Sequence, residues 1–396
     1  MPTSKRILFV DDEPMVLSAL HRSLHSMRKE WEMVFVGGGL EALQLMERDP
    51  FDIVVTDMRM PVMSGAHLLE CVKLRFPQCL RIVLSGQADR EMIIRSVDPT
   101  HQYLTKPCDV TDLKARIARA FAVRELLQNP ELRGLVSKME ALPSLPSLYV
   151  ALSNELKKDE ASIDTIEQLI SEDMAMTAKI LQLVNSAFFG LQCRVSSARQ
   201  AVQLLGLETI RALVLSAHVF DKFPSDILGD GDLSYWWKHS LAAANYANDI
   251  AKLERVDKHL AEDCFTSALL HDTGKVILAS ILDSKYRKVL MLVKSAGKGL
   301  MDAEVEILGC SHAEIGAFLL GLWGLPENVI EGVAFHHQPS RSFQSTFSTV
   351  AATHFASILQ EEQQNFWMQD RTPLDTDFMH RIGCADHEAT WRSVVS

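Results

Sequence analysis

Within the first 122 residues, side chains able to hold a metal ion and an anion stand at the ends of short apolar runs. Asp11 and Asp12 follow Ile7–Val10, Asp57 follows Ile53–Val55, Ser85 follows Arg81–Leu84, and Lys106 follows Gln102–Leu104. If these runs share one sheet edge, three carboxylates, a hydroxyl and an ammonium converge there. Clustered carboxylates repel one another and need a cation. Mg²⁺ suits them, because it binds through a few carboxylates and keeps several waters. The metal and Lys106 would neutralise an incoming phosphoryl group, with Asp57 as the nucleophile. A single strand-end Asp is ordinarily a cap or a turn former. Five such groups in register call for another explanation.

A second collection lies further along: His239, the pair His271-Asp272, His312, and the pair His336-His337. Imidazole and carboxylate ligands suit several divalent ions, which activate water for attack on a phosphoester. An isolated histidine is usually a hydrogen-bonded structural residue, so this reading rests on the set. Two phosphate-loop look-alikes fail. Gly37-Gly38-Gly39 has no Gly-Lys-Ser/Thr after it and reads as a strand-to-helix turn. His271-Asp272-Thr273-Gly274-Lys275 ends like such a loop, but Leu269 stands where the earlier glycine is required.

The elements that must position these residues differ between the two parts. Up to residue 127, amphipathic stretches at 15–29, 40–48, 65–75, 89–97 and 110–127 fill the gaps between five apolar runs, the second at Met33–Val36. Five strands alternating with five helices predict a parallel sheet covered on both faces. In such sheets the site lies beyond the carboxyl ends of the strands. Leu113, Ile117, Ala120, Phe121 and Leu127 form an apolar stripe on the last helix. That stripe serves packing within the domain, contact with a second copy in a homodimer, or both. Asn129-Pro130 should break or restart the helix. Beyond residue 141 the apolar residues recur at three and four, as in Ile163–Ile170, Ala178–Val184 and Ile210–Val219, which predicts an all-α region.

A chain of 396 residues suits two or three domains. Its net charge of −11 is unevenly placed: residues 1–122 carry 16 basic and 16 acidic side chains, the remainder 24 and 35. Nucleic-acid binding needs a clustered basic face, and the acidic part offers none, so no nucleic-acid partner is expected. The seven cysteines, at 71, 79, 108, 193, 264, 310 and 384, show no C-x-x-C spacing. They read as reduced thiols in a reducing compartment, which predicts a cytoplasmic location. The apolar run before Asp11 is too short for a signal peptide, and no stretch approaches the roughly 20 apolar residues of a membrane span.

The first constellation resembles the receiver domain of two-component response regulators over about 120 residues. Asp11-Asp12-Glu13-Pro14, Asp57-Met58-Arg59-Met60-Pro61 with Ser64-Gly65, Ser85-Gly86 and Lys106-Pro107 stand in family order. The resemblance implies a flavodoxin-like, doubly wound α/β fold with a five-stranded parallel sheet. It also implies phosphorylation of Asp57 by a sensor histidine kinase. It makes Asp11 and Asp12 the acidic pocket for Mg²⁺, with Asp57 and the backbone carbonyl of Arg59 also on the metal. Ser85 would bind a phosphoryl oxygen, and Tyr103 matches the switch aromatic of the family.

The second part resembles the HDOD family, an output module related to the HD metal phosphohydrolases, over about 220 residues from near 130 to near 360. Leu142-Pro143-Ser144-Leu145-Pro146, Ile170-Ser171-Glu172-Asp173, Lys179–Ala187 and Ala201–Gly206 carry the likeness. Met174 and Met176 depart from it as packing changes. By the resemblance, catalytic HD enzymes hold a metal on a first His, a His-Asp pair and a distal Asp, here His239, His271 and Asp272 with Ser357 in the distal place. His312, His336 and His337 fall where the two-metal branch has further ligands. The Gly-Tyr-Pro signature of cyclic-di-GMP phosphodiesterases is missing after His337.

Together these readings predict a receiver at 1–122, a helical linker at 123–141, an HDOD domain at 142–360, and an unassigned tail at 361–396. They predict a response regulator that acts mainly through an unknown protein partner of the HDOD domain. The alternative is a receiver-gated, metal-dependent phosphohydrolase of the HD superfamily.

Overall fold

The computed structural model describes residues 5–85, 102–106, 110–137, 161–185, 195–206, 233–363 and 372–395, with a few short pieces between, Asp370 among them. The chain divides into two compact units, one built on residues 1–140 and the other on most of the remainder.

The first unit is an alternation of strands and helices. β1 (Lys5–Val10), β2 (Trp31–Val36), β3 (Ile53–Asp57), β4 (Leu80–Ser85) and β5 (Gln102–Thr105) form one sheet in the order β2-β1-β3-β4-β5. Every pairing is parallel. Parallel strands need crossovers, which here are α1 (Pro14–Ser23), α2 (Gly39–Arg48), α3 (Gly65–Arg75) and further chain before β5. The central strands carry consecutive apolar residues, as a sheet covered on both faces requires: Ile7, Leu8, Phe9, Ile53, Val54 and Val83 are fully buried. The expected helix at 89–97 lies outside the described residues.

The order reverses between β1 and β3, and there the site of such a sheet belongs. Val10 pairs with Thr56, so Asp11 and Asp57 leave neighbouring strands side by side. Gly65 opens α3 against the end of β3. A Cβ at Gly65 would lie 1.9 Å from the Asp57 carbonyl oxygen, so only glycine permits this approach.

α4 (Val110–Leu126) buries Leu113, Ile117, Ala120 and Phe121. It stops before Asn129, whose side chain accepts from the Glu131 and Leu132 N–H groups and caps α5 (Pro130–Val136). Arg81 on β4 is buried and donates to the Ser137 carbonyl at 2.7 Å, tying the segment after α5 to the sheet.

The second unit is helical. Its elements are α6 (Ile163–Ser171), α7 (Met174–Asn185), α8 (Ala198–Leu205), α9 (Leu233–Leu253), α10 (Lys258–Leu270), α11 (Thr273–Ile281) and α12 (Asp283–Ala296). They continue with α13 (Leu300–Leu308), α14 (His312–Leu322), α15 (Glu327–Phe335), α16 (Thr349–Gln363), α17 (Thr376–Arg381) and α18 (Glu388–Arg392). The β-structure among the described residues of this unit is a two-residue parallel bridge, Pro143–Ser144 with Asp221–Lys222. α9, α10, α15 and α16 pack on one another and form the centre. A Cβ at Gly332 of α15 would lie 1.9 Å from the Ser267 hydroxyl of α10, so these two helices meet over a glycine. Among the described residues no single helix is long and apolar enough to cross a membrane.

Candidate functional site

At the end of the sheet, the Lys106 ammonium donates to the Asp57 carboxylate and, at 2.7 Å, to Asp11 Oδ2. The Glu13 N–H donates to Asp11 Oδ1 at 2.9 Å, and the Arg59 N–H to Asp57 Oδ2 at 2.6 Å. Asp11 and Asp57 are buried, while Asp12 is half-buried beside them. Burial pulls the Lys106 ammonium down, but the hydrogen bonds and charges of Asp11 and Asp57 outweigh it and hold its pKa above the ordinary value. The Ser85 and Tyr103 side chains lie outside the described residues.

The second unit brings all six of its sequence-singled residues together. Thr273 donates to the Leu270 carbonyl at 2.8 Å across the break between α10 and α11, where His271 and Asp272 sit. His239 comes from α9, His312 opens α14, and His336 and His337 follow the end of α15. Ser311 and Glu314 cap α14 reciprocally: the Ser311 N–H donates to Glu314 Oε2, and the Glu314 N–H to Ser311 Oγ. Gly274 lets α11 touch that cap, since a Cβ there would lie 1.9 Å from the His312 carbonyl oxygen.

Two trios of donor atoms result, His239 with His271 and Asp272, and His312 with His336 and His337. Their chemistry follows from what each ring bonds on its far side. His271 Nδ1 lies 2.7 Å from the Ala268 carbonyl, and His336 Nδ1 lies 2.8 Å from the Val333 carbonyl. A carbonyl only accepts, so each Nδ1 carries the proton and each Nε2 presents a lone pair inward. Asp272 Oδ1 stands 3.5 Å from His271 Nε2, 3.5 Å from His312 Nε2 and 4.0 Å from His336 Nε2. Asp272 Oδ1 and His336 Nε2 are buried without a hydrogen-bond partner. A carboxylate oxygen facing imidazole lone pairs in a dry interior is costly unless a cation lies among them. The donor set therefore fits a divalent ion, with backbone carbonyls orienting the rings from behind.

By contrast, His354 on α16 is spent on structure. Its Nδ1 donates to the His336 carbonyl at 2.6 Å, and its Nε2 accepts from the Asp375 N–H at 3.1 Å.

Three charged residues join the set that the motif reading left out. Glu304 of α13, fully buried, accepts from His312 Nδ1 and from the His312 N–H, both at 2.7 Å, and from the Tyr286 hydroxyl at 3.1 Å. Lys275 of α11 donates to Asp272 Oδ2 and to Asp370 Oδ2, each at 2.9 Å. Asp370 Oδ2 also lies 3.4 Å from His337 Nε2 and 3.9 Å from His312 Nε2, and those two nitrogens are 2.9 Å apart. By the resemblance to HD enzymes, Ser357 stands where a further carboxylate is expected. Ser357 is buried on α16, and it is Asp370, from the segment left unassigned, that brings a carboxylate to the histidines.

Burial pushes the His239 and His337 rings from 6.5 down to about 3. Burial likewise disfavours charge on His312, yet the Glu304 carboxylate outweighs it and raises that ring. Burial would raise Asp272, but His271 and the Lys275 ammonium hold it well below the usual carboxylate range. Glu361 accepts from the Asp370 N–H at 3.0 Å, and burial with the Asp370 charge pushes its carboxyl up to about 7.

The HDOD domain family model matches residues 142–339, half of the chain. The chain belongs to the HDOD family. The response regulator receiver domain model matches residues 7–118, so a receiver stands at the N-terminus of this HDOD protein. An uncharacterized protein of Treponema pallidum (strain Nichols) is 28% identical over 222 residues, 55% of this chain and 42% of that protein. The response regulator protein PilR of Pseudomonas aeruginosa is 30% identical over 155 residues, 39% of this chain and 33% of its own length. The solved MmoQ response regulator from Methylococcus capsulatus str. Bath is 25% identical, with 64% of this chain and 98% of that chain covered at a TM-score of 0.49. The chain spans less than half the length of the curated relatives it matches. Asp370 lies beyond the stretch that the HDOD model matches.

Proposed function

We propose that this HDOD protein is a phosphorylation-switched, cytoplasmic response regulator. In this reading a sensor histidine kinase transfers a phosphoryl group to Asp57, and the HDOD domain answers by binding or releasing a protein partner. Mg²⁺ would be held by Asp11, Asp12, Asp57 and the Arg59 carbonyl, with Ser85 and Tyr103 responding to the phosphoryl group. The observation that carries this is Lys106, whose ammonium bonds both Asp11 and Asp57. Phosphorylation replaces the single carboxylate charge of Asp57 with an acyl phosphate that carries nearly two, and moves that charge outward onto the phosphoryl oxygens. Lys106 then gains a stronger acceptor, and its hold on Asp11 changes. A small-molecule phosphodonor with Mg²⁺ tests the reading: the full chain should gain one base-labile phosphoryl group, and Asp57→Asn none. Uptake that survives in Asp57→Asn overturns it.

A second reading is favoured by the bare Asp272 Oδ1 among imidazole lone pairs. There a divalent ion would be held by His239, His271 and Asp272, with His312 and His336 close by, and it would supply a Lewis acid and an activated water for phosphoester hydrolysis. Metal analysis of the full chain, with a phosphodiester substrate screen, separates the two. Bound metal without turnover leaves the first reading standing alone.

A further inference from the structure

We propose that Lys275 is a tethered cation that fills the Asp272–Asp370 carboxylate pair and limits the histidine centre to one divalent ion. The inference rests on the reading that this centre holds metal. It adds that Asp370, His312 and His337 form a second cation position whose present occupant is the lysine's own ammonium.

The two oxygens of Asp272 face different neighbours. Oδ1 is bare and looks at the Nε2 atoms of His271, His312 and His336. Oδ2 accepts from Lys275 and lies 3.5 Å from His239 Nε2. Asp370 is held from the other side: its Oδ1 accepts from the Met301 N–H at 2.6 Å, which leaves Oδ2 aimed at Lys275, His337 and His312. The carboxylate oxygen and the two Nε2 atoms are close enough to share one ion, and Lys275 Nζ already sits on that oxygen.

Lys275, Asp272 and Asp370 are all buried. Two carboxylates in such surroundings require a counter-charge, and breaking a buried pair on one side alone is strongly destabilising. An ammonium and a divalent ion cannot both sit on Asp370 Oδ2 without like-charge repulsion in a medium that screens poorly. A metal ion can bind at Oδ1 of Asp272 with Lys275 in place; it can bind at Asp370 only if Lys275 leaves. The ammonium is tethered three residues from Asp272 on a buried helix, so its local concentration is high and it leaves reluctantly.

Metal counting on the full chain tests this, after chelator stripping and loading with Mn²⁺, with Asp11→Asn and Asp12→Asn introduced throughout so that the counts are those of the histidine centre alone. Bound metal is measured by mass spectrometry and the number of coupled ions by electron paramagnetic resonance. The wild type should hold one Mn²⁺ with an isolated-ion spectrum. Lys275→Met should hold two, with the spectrum of a coupled pair. Lys275→Met combined with Asp370→Asn should return to one. One ion in both wild type and Lys275→Met overturns the lysine's role and leaves the metal reading intact. No ion in any of the three proteins overturns the metal reading itself. If Lys275→Met folds only when Mn²⁺ is present during refolding, the ion has replaced the ammonium, as expected. If it fails to fold with Mn²⁺ while the double variant folds without it, the proposal is wrong.

Discussion

Lys275 and Asp370, 95 residues apart in the chain, meet at 2.9 Å in the buried centre of the helical unit. The contact joins a residue of the His-Asp-Thr-Gly-Lys stretch to one beyond the last long helix, in a part of the chain where no motif announces it. It also accounts for how two carboxylates can be buried beside five imidazoles. The histidines that carry the metal reading are arranged around this ion pair.

Removing the pair His271 and Asp272 should abolish divalent-ion binding at the first position. With Asp11→Asn and Asp12→Asn present to empty the receiver pocket, a His271→Ala, Asp272→Ala variant of the full chain should show loss of bound metal by mass spectrometry. Retention of stoichiometric metal would place the site elsewhere.

The helical unit should weaken in mild acid. His239 and His337 have folded pKa values of about 3 against an ordinary 6.5. A depressed folded pKa means that the stability these neutral rings contribute is intact above about 6.5 and is lost as pH falls toward 3. Within that window each ring takes a proton in the unfolded chain alone, and each costs about 1.4 kcal/mol per pH unit. His312 opposes the trend, because its folded pKa is raised. Urea unfolding between pH 7 and pH 4 should show midpoints that fall with acid. His337→Phe should flatten part of that slope; an unchanged slope would assign the acid sensitivity to other groups.

Glycine at 274 is required by the packing of α11 on the start of α14. Gly274→Ala places a Cβ 1.9 Å from the His312 carbonyl oxygen and must displace backbone. A cost of about 3 kcal/mol is expected from overpacking of this kind. Gly37→Ala, with nothing within 4 Å of its added Cβ, serves as the control and should be near neutral. Equal denaturation midpoints for the two variants would contradict the close approach.

The C-terminal segment should be integral to the helical unit. Trp391 is fully buried, donates from Nε1 to Glu254 at 2.7 Å, and packs edge-on against Phe355 at 5.0 Å between ring centroids. Trp391→Ala should cost about 3–5 kcal/mol, the usual penalty for emptying a large aromatic site. Chemical denaturation of the full chain would measure it. A variant within about 0.5 kcal/mol of wild type would show that the segment is an appendage.

The receiver site could be read from the chain because each of its groups ends a strand. In a parallel sheet the carboxyl ends share one edge, so Asp11, Asp57 and Lys106 are brought together by a rule that is visible locally. The six residues of the helical unit were also legible, as a set carried by short motifs at helix ends. What the chain by itself did not reveal was the charge balance of that set. Glu304, Asp370 and the pairing of Lys275 come from three separate segments, and an acidic residue in a polar stretch looks like any other surface charge. Only tertiary folding decides which charges leave water. Once buried, each must find a partner, because an unpaired charge in a low-dielectric interior costs more than the fold can supply.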